Sequence, residues 1–353
     1  MSESSAVLVS KEVIKANKAI LRKFWENKIR TVWSAYSCEN QYRQMEDHNL
    51  MIAEAAENLK KCATVPGIIV PRFTIDFGTI STASFWGGKT RRGTLGNPWI
   101  DTVVHEPGDV PGMKHIDPCK GHTEEAGRLY DRLCELIGDH ELPASTFDLQ
   151  GPLNTLSLIW DQDNMMVSMY ENPDSLHEAL SKVTQLLVRN IECLYRRIPN
   201  IEAPLWPFIW LPPDIGIGIT EDYMPLLSPG LYREFGLPYV KMLSDRFKGL
   251  FIHCCGEFTH QIDNLCNSDI NIIGMEFAYP KVDIDKLFEA FKDTCIFVPN
   301  IMDNHIDDFG SFTDFMLFIE KKRRPETRIW YLLRPDLPDF DEQVKLMESL
   351  NEV

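Results

Sequence analysis

The sequence predicts an α/β fold, a (β/α)8 TIM barrel, in which eight strands alternate with amphipathic helices. Eight apolar, β-prone runs occur in order, at residues 30–37, 67–77, 145–151, 204–211, 249–256, 271–277, 295–301 and 328–334. Helical periodicity fills the stretches between them, as at residues 172–195, 228–247 and 284–291. This alternation predicts parallel strands with helical crossovers, and eight units favour closure into a barrel. An open, doubly wound sheet is the alternative.

Two further segments are expected around the barrel. Residues 10–27 read as a helix with Val13, Ile20 and Phe24 on one apolar face, within an N-terminal helical extension of about residues 1–29. Residues 83–104 contain Gly-Gly and Gly-Asn-Pro turn signals between short β-prone pieces. These signals predict a hairpin or loop excursion over the barrel mouth. We expect residues 1–353 to form one domain.

Composition excludes several classes of protein. The chain has 353 residues and a formal net charge of -16, so nucleic acid and anionic membranes are disfavoured as partners. No apolar run approaches the roughly 20 residues of a membrane helix. The nine cysteines are scattered and odd in number, which argues against a disulfide framework. The polar start of the chain shows no signal peptide, and we expect a cytoplasmic, thiol-reduced protein.

Polar side chains gather where the predicted strands end. They lie at residues 74–76, 148–150, 253–255, 276, 300–303 and 334–336. In a barrel the carboxyl ends of the strands meet at one mouth, where active sites are built. Any one of these residues is equally well explained as ordinary loop polarity. Six of eight strands together favour a functional site.

The sharpest chemical pattern is His253-Cys254-Cys255 at the end of an apolar run. Side chains alternate along a strand, so His253 and Cys255 face one way and Cys254 faces the other. Imidazole nitrogen and thiolate sulfur together suit zinc, although a buried cysteine is more often a small hydrophobic residue. Glu276 closes the next strand, about 4.8 Å away, and can reach the same ion. A salt bridge from Glu276 to Arg334 or Arg72 is the alternative.

An ordered series of motifs resembles the uroporphyrinogen decarboxylase superfamily. Asp148-Leu149-Gln150 precedes Gly151-Pro152-Leu153, which resembles the family's Gly-Pro segment. Residues 220–239 resemble its acidic loop and the following Ser-Pro helix start, and His253-x-Cys255-Gly256 follows in order. The resemblance spans about residues 66–336 and implies the barrel fold.

Differences between this sequence and the motifs of the haem-pathway decarboxylase favour another branch of the superfamily. The haem-pathway decarboxylase carries an Arg-Gln-Ala-Gly-Arg-Tyr signature, whereas residues 38–45 here read Cys-Glu-Asn-Gln-Tyr-Arg-Gln-Met, and Arg43 alone does not replace two arginines. His253-x-Cys255 instead resembles the corrinoid-dependent methyltransferases, including the coenzyme M type. Their later zinc-binding cysteine is missing, since the last cysteine is Cys295. The resemblance therefore implies either zinc held by His253, Cys255 and Glu276 with an open position, or loss of the metal.

The expected function is transfer of a methyl group between a small methylated substrate, or a thiol acceptor, and a corrinoid-binding protein, assisted by zinc. Asp76 and Glu276 are the candidate catalytic residues. The candidate substrate-binding residues are Gln150, Asp222, Tyr223, Asn300 and Arg334, although Asp222 also suits a role in bracing its loop.

Two other functions stay open. One is a metal-free decarboxylase or lyase that acts on a non-tetrapyrrole acid, with Arg72 or Arg334 clamping the carboxylate. The other is a non-catalytic barrel that docks a corrinoid protein. The polar strand ends argue against the second of these, because a pure scaffold has no need for them.

Overall fold

The computed structural model describes residues 8–35, 47–92 and 98–350. The strands are β1 (Thr31–Ala35), β2 (Thr90–Arg92), β3 (Pro98–Ile100), β4 (Ala144–Ser145), β5 (Ile201–Ala203), β6 (Ile217–Thr220), β7 (Leu250–Cys254), β8 (Ile272–Tyr279), β9 (Ile296–Ile301) and β10 (Arg328–Leu333). Five of the predicted runs are therefore confirmed as regular strands, at β1 and β7–β10.

Helices fill most of the intervals between the strands. They are α1 (Lys11–Trp25), α2 (His48–Lys61), α3 (His122–Ile137), α4 (Pro152–Ile159), α5 (Gln162–Glu171), α6 (Pro173–Arg197), α7 (Pro229–Phe235), α8 (Leu237–Phe247), α9 (Ile262–Cys266), α10 (Ile284–Phe291), α11 (Asp303–Ile306), α12 (Phe312–Lys322) and α13 (Phe340–Leu350). The predicted helix at residues 172–195 is α6, and the one at residues 228–247 is divided between α7 and α8 at Gly236.

The central layer is a parallel sheet of six strands in the order β1-β10-β9-β8-β7-β6. Strands β4 and β5 form a separate parallel pair, and β2 and β3 form an antiparallel pair. Isolated bridges link the pieces, with Phe73 beside Ala144 and Gln150 beside Thr220. The architecture is TIM-barrel-like, but the described strands do not make one continuous, closed eight-stranded sheet.

Proline explains where the predicted strand pattern breaks. The run at residues 204–211 is irregular instead of a strand, and it contains a cis peptide bond between Trp206 and Pro207. The run at residues 67–77 contains Pro71 and makes only isolated bridges. Proline offers no N–H to a ladder, so neither run can form regular pairs along its length. The prediction of a strand at 204–211 was wrong, and the strand that pairs with β7 is β6.

Side chains of the sheet divide between two cores. The inner core includes Phe251, Ile296 and Trp330, and α1 contributes Phe24, whose ring meets Trp330 edge-on at 5.9 Å. The outer core lies between the sheet and its covering helices and includes the alternate strand residues, such as Ile252. The predicted N-terminal helix is confirmed as α1, which packs into the inner core. Residues 1–7 of the predicted extension lie outside the described ranges.

The predicted excursion near residues 83–104 is a hairpin. A short 3-10 helix at Ala83–Trp86 precedes β2, which pairs antiparallel with β3. Residues 93–97 lie outside the described ranges, as do Cys38 and Arg43. A role for this hairpin as a lid stays a prediction.

Two findings bear on the expected cellular setting. The structure joins Cys119 and Cys193 in a disulfide, so the expectation of a fully reduced chain was wrong for that pair. The pairing could not be predicted from the sequence, because the two cysteines are 74 residues apart and only the fold brings them together. No helix in the described ranges combines the length and the apolar character that a membrane span requires.

Gly274 on β8 leaves room for the inner core. A Cβ atom there would lie 2.6 Å from Cδ2 of Phe251 and 2.8 Å from Cγ1 of Ile296. We expect Gly274→Ala to lower the free energy of unfolding by about 1–3 kcal/mol, because the packed interior must shift. Urea denaturation measures this change.

Gly230→Ala is the matched control. Gly230 lies in α7, and its added Cβ would meet nothing closer than Oγ of Ser228 at 3.9 Å. Alanine suits a helix better than glycine, so this variant should gain up to about 1 kcal/mol. Equal losses in the two variants would contradict the packing argument.

Candidate functional site

Strand alternation directs the His253 side chain to the inner face of the sheet and the Cys254 side chain to the outer face, which the helices cover. Cys254 is buried in the outer core, as the sequence predicts. His253 lies in register with Thr220 on β6 and with Glu276 on β8. Thr220 and Glu276 therefore direct their side chains to the same face of the sheet as His253.

His253 and Glu276 form the tightest polar contact of the site. Nδ1 of His253 lies 2.5 Å from Oε2 of Glu276, and both side chains are largely buried. Nδ2 of Asn300 donates to the other carboxylate oxygen of Glu276 at 3.4 Å. Burial disfavours the imidazolium, but the Glu276 charge and hydrogen bonds to Cys255 and Glu276 outweigh it and raise the pKa of His253 well above its usual value. Glu276 therefore has the partner that a buried carboxylate requires, and it is neither Arg334 nor Arg72.

Three side chains bring metal-ligand atoms together. One ligand atom each from Asp222, His253 and Cys255 lies within 4.8 Å of the others, and no other such group occurs in the described ranges. Asp222 also accepts a hydrogen bond from the backbone N–H of Cys255 at 2.9 Å through Oδ1. The sequence predicts His253, Cys255 and Glu276 as the ligands. The structure brings Asp222 close to His253 and Cys255, and it places Glu276 against Nδ1 of the imidazole.

The position of Asp222 follows from the register of β6. Thr220 pairs with His253, and the N–H of Glu221 donates to the carbonyl of His253 at 2.9 Å. Asp222 is therefore carried beside Cys255. The sequence pattern missed this because the strand before Asp222 was not recognised.

Glu221 was not singled out from the sequence, yet its side chain is fully buried. Its Oε2 accepts a hydrogen bond from the hydroxyl of Tyr232 at 3.1 Å, and burial raises the pKa of Glu221 to about 8. A Cβ atom on Gly151 would lie 1.6 Å from Oε1 of Glu221. A side chain at Gly151 would therefore force the Glu221 carboxyl group to move.

Asp76 and Asp148 are two further buried acids at the strand ends. Their neighbours Ile75, Phe77 and Phe147 belong to the outer core, so the aspartates face inward. Burial raises the pKa of each to about 6. The charge of His253 and a hydrogen bond from Thr220 partly oppose the shift at Asp148, and the charge of Asp76 adds to it.

The other predicted binding residues separate into two groups. Asn300 and Arg334 line a cavity of about 60 Å³ together with Glu276. The Arg334 guanidinium is held by Asp303 at 2.9 Å and by Asp336 at 2.7 Å. The ring of Tyr223 belongs to the outer core, and its backbone N–H, rather than its hydroxyl, reaches the network around Gln150.

Trp206 forms the aromatic wall of the site. Its ring lies 6.1 Å from that of His253, at an interplanar angle of 32°, and meets Phe208 edge-on at 5.1 Å. Trp206 also lines the cavity beside Glu276. Sequence reasoning placed it inside a strand, where nothing distinguishes it from a core tryptophan.

Comparison with known proteins identifies the fold. No protein-family model matches the chain, and no curated protein is similar to it in sequence. A methyltransferase from Methanosarcina mazei superposes with a TM-score of 0.67 at 14% identity, covering 95% of this chain and 98% of its own. A putative vitamin-B12 independent methionine synthase from Listeria monocytogenes aligns at 12% identity over 99% and 96% of the two chains, with a TM-score of 0.46. The first likeness establishes a shared fold.

The buried state of Asp76 predicts a pH-dependent stability. Its pKa of about 6 in the folded chain exceeds the ordinary 3.8, so the folded state binds the proton more tightly. Stability should therefore fall as the pH rises through about 4 to 6. Asp76→Asn keeps an oxygen for the Gly78 N–H, now bonded at 2.7 Å, but has no charge to bury.

We expect Asp76→Asn to match the wild type near pH 4 and to exceed it at pH 8 by about 2–3 kcal/mol in free energy of unfolding. Urea titrations across this pH range measure the difference. Asp163→Asn, at an exposed position of α5, is the control and should follow the wild type throughout. A wild-type advantage at pH 8 would show that Asp76 is stabilised as a carboxylate.

Proposed function

We propose that this protein is a methyltransferase that moves a methyl group between a small methylated substrate, or a thiol acceptor, and a corrinoid-binding protein, with zinc at the site. The observation that carries the proposal is the group of Asp222, His253 and Cys255, whose ligand atoms lie within 4.8 Å of one another. The methyltransferase from Methanosarcina mazei has the same fold, and this supports the class of chemistry. The corrinoid partner rests on the motif resemblance in residues 66–336.

The donor set fits zinc. Imidazole nitrogen, thiolate sulfur and carboxylate oxygen are the ordinary zinc ligands, and three of them with an open position are typical of catalytic sites. Glu276 accepts at Nδ1 of His253, so a metal would be held through the other ring nitrogen, Nε2. A carboxylate behind a ligating histidine fixes its tautomer and raises its basicity. Glu276 is therefore proposed as the residue that orients His253, and Asp222 as the third ligand.

Bound zinc would supply Lewis acidity, which polarises a heteroatom of the substrate or keeps a thiol in its thiolate form. The chain's own residues provide the rest. Asn300 holds Glu276 in place through the 3.4 Å hydrogen bond. The ring of Trp206, 6.1 Å from that of His253, would shield one side of the imidazole from water.

The alternative decarboxylase function has less support. It requires an arginine that clamps a substrate carboxylate in the mouth. Of the two arginines considered for this role, Arg334 is already paired with the carboxylates of Asp303 and Asp336. The acidic residues that surround the mouth also repel an anionic substrate.

We expect protein purified without chelator to contain close to one zinc per chain. His253→Ala, Cys255→Ser and Asp222→Asn each remove a ligand and should lower the zinc content sharply. Cys254→Ser is the matched control, because this thiol lies in the outer core. Elemental analysis measures the content, and the thiolate absorption of cobalt-substituted protein reports whether Cys255 is a ligand.

Glu276→Gln separates a ligand from an orienting residue. This variant should still bind zinc with its three ligands, but about 10–100-fold more weakly in competition with a chelator. Zinc loss in Cys254→Ser equal to that in Cys255→Ser would mean that the strand register is wrong. An absence of zinc from every preparation would shift weight to the metal-free decarboxylase.

The reaction itself is tested with reduced corrinoid protein and a panel of methoxylated aromatics, methylamines, methanol and methylthiols. We expect the absorption spectrum of Co(I) to change to that of methyl-Co(III) with at least one donor, and the methyl group to be returned to a thiol. Glu276→Gln should lower the rate more than the affinity for substrate. Release of carbon dioxide from uroporphyrinogen at an enzymatic rate would overturn the assignment.

A further inference from the structure

A second cavity lies at the opposite end of the sheet from His253. It has a volume of about 410 Å³ and is lined by residues of α6, of α8 and of the segment that leads into β6. Ile217 in its wall is the first residue of β6, whereas His253 pairs with the last one, Thr220. The cavity is therefore separate from the proposed metal site.

The wall of this cavity is positively charged although the chain is acidic. Three cations, Arg196, Arg246 and Lys248, line the cavity together with one acid, Glu192, so the formal charge of the wall is +2. The whole chain has a formal net charge of -16. A local excess of positive charge in a concave surface attracts anions.

Two of the three cations have side chains without a polar contact to any described residue. They are Arg196 and Lys248. The one acid in the wall is already occupied, because Glu192 accepts a hydrogen bond from Nε of Arg246 at 2.7 Å. The charges of Arg196 and Lys248 are therefore available to a ligand.

The backbone of Lys248 is strained. Lys248 ends α8 with a φ of 72°, in the left-handed region that glycine or asparagine normally occupies at the end of a helix. Its carbonyl oxygen accepts a hydrogen bond from Nδ2 of Asn271 at 2.5 Å, which helps to fix this conformation. The nearby carboxylate of Asp214 is held by Arg22, at 2.9 and 3.0 Å, and not by Lys248. The fold thus keeps a lysine in the cavity wall at a cost in free energy.

Helix dipoles explain only part of this pattern. Arg196 and Arg246 lie in the last turns of α6 and α8, where a cation offsets the dipole of its helix. That effect does not require both helices to end around one cavity, and it does not require a lysine in the left-handed region. Binding of an anion accounts for both features.

Two aromatic side chains offer a surface for a flat, apolar group. Tyr195 and Phe247 line the cavity, and each is only partly buried against the outer core. The guanidinium of Arg246 lies 5.8 Å from the centre of the Phe247 ring. A ligand ring can pack against such side chains. The volume also falls within the roughly 300–1,000 Å³ of pockets that hold organic molecules, and it is larger than a simple ion needs.

We propose that this cavity binds a phosphate monoester that carries an aromatic ring, such as a nucleoside monophosphate. A phosphate monoester has a charge of about -1.5 to -2 near pH 7, which complements the charge of the wall. The planar guanidinium of Arg196 suits bidentate binding of phosphate oxygens, and Lys248 supplies a second charge. This binding does not depend on methyl transfer at the mouth.

Calorimetry at low ionic strength tests the site with adenosine 5′-monophosphate (AMP), inorganic phosphate and adenosine. We expect AMP to bind at least about tenfold more tightly than either of its parts, because both parts contact the wall. Arg196→Gln and Lys248→Asn should each weaken AMP binding by about tenfold. Lys248→Asn should also raise the midpoint of urea denaturation, since asparagine tolerates the left-handed region, so its loss of binding cannot be a loss of folding.

Two further variants complete this experiment. Arg128→Gln removes the same charge from an exposed position of α3, outside the cavity, and should bind AMP as the wild type does. Phe247→Leu keeps an apolar side chain but removes the ring, and it should bring the affinity for AMP close to that for phosphate.

Three results would each overturn the proposed site. The first is an absence of AMP binding by the wild type at about 1 mM. The second is an affinity of the wild type for phosphate equal to its affinity for AMP. The third is an AMP affinity that is unchanged in both Arg196→Gln and Lys248→Asn, or that falls equally in Arg128→Gln.

Discussion

The hydrogen bond between His253 and Glu276 is the interaction on which the rest of the site depends. Two ionisable groups are buried together, and each without the other would be strongly unfavourable. The register of β7 and β8 sets them side by side, and Gly274 below Glu276 leaves the space that Phe251 and Ile296 fill. Because Glu276 occupies Nδ1, Nε2 is the nitrogen of His253 that remains for the proposed metal. One contact therefore links the packing of the inner core to the proposed choice of metal ligands.

Much of this arrangement could be predicted from sequence because β7 and β8 are regular strands. A period of two in an apolar run separates His253 from Cys254, whatever the surrounding fold. The same pattern puts Glu276 within reach of His253, since adjacent parallel strands have a fixed spacing. What the pattern could not say is whether that carboxylate would bind a metal ion directly or accept a hydrogen bond from the far nitrogen of the imidazole, because the two differ only by a side-chain rotation.

The residues that sequence reasoning missed lie next to irregular backbone. Strand β6 is only four residues long and contains Gly218, whereas the run at 204–211 has the stronger apolar pattern but is broken by Pro207. Because the sequence analysis placed the run at 204–211 beside β7, it could not predict the register that brings Asp222 close to Cys255. The orientation of Gln150 could not be predicted either. It is set by hydrogen bonds that involve Asn154 and the backbone of Tyr223, and hydrophobic periodicity carries no information about such contacts.

Thr220 contacts both the segment that carries Gln150 and strand β7. Its backbone bridges Gln150 on one side and pairs with His253 on the other, and its hydroxyl donates to Asp148. The group of Asp222, His253 and Cys255 and the buried Gln150 amide therefore flank a single short strand, and the Asp148 carboxyl group lies between them against the Thr220 hydroxyl. The register of β6 therefore sets both the proposed metal ligands and the position of the Gln150 amide.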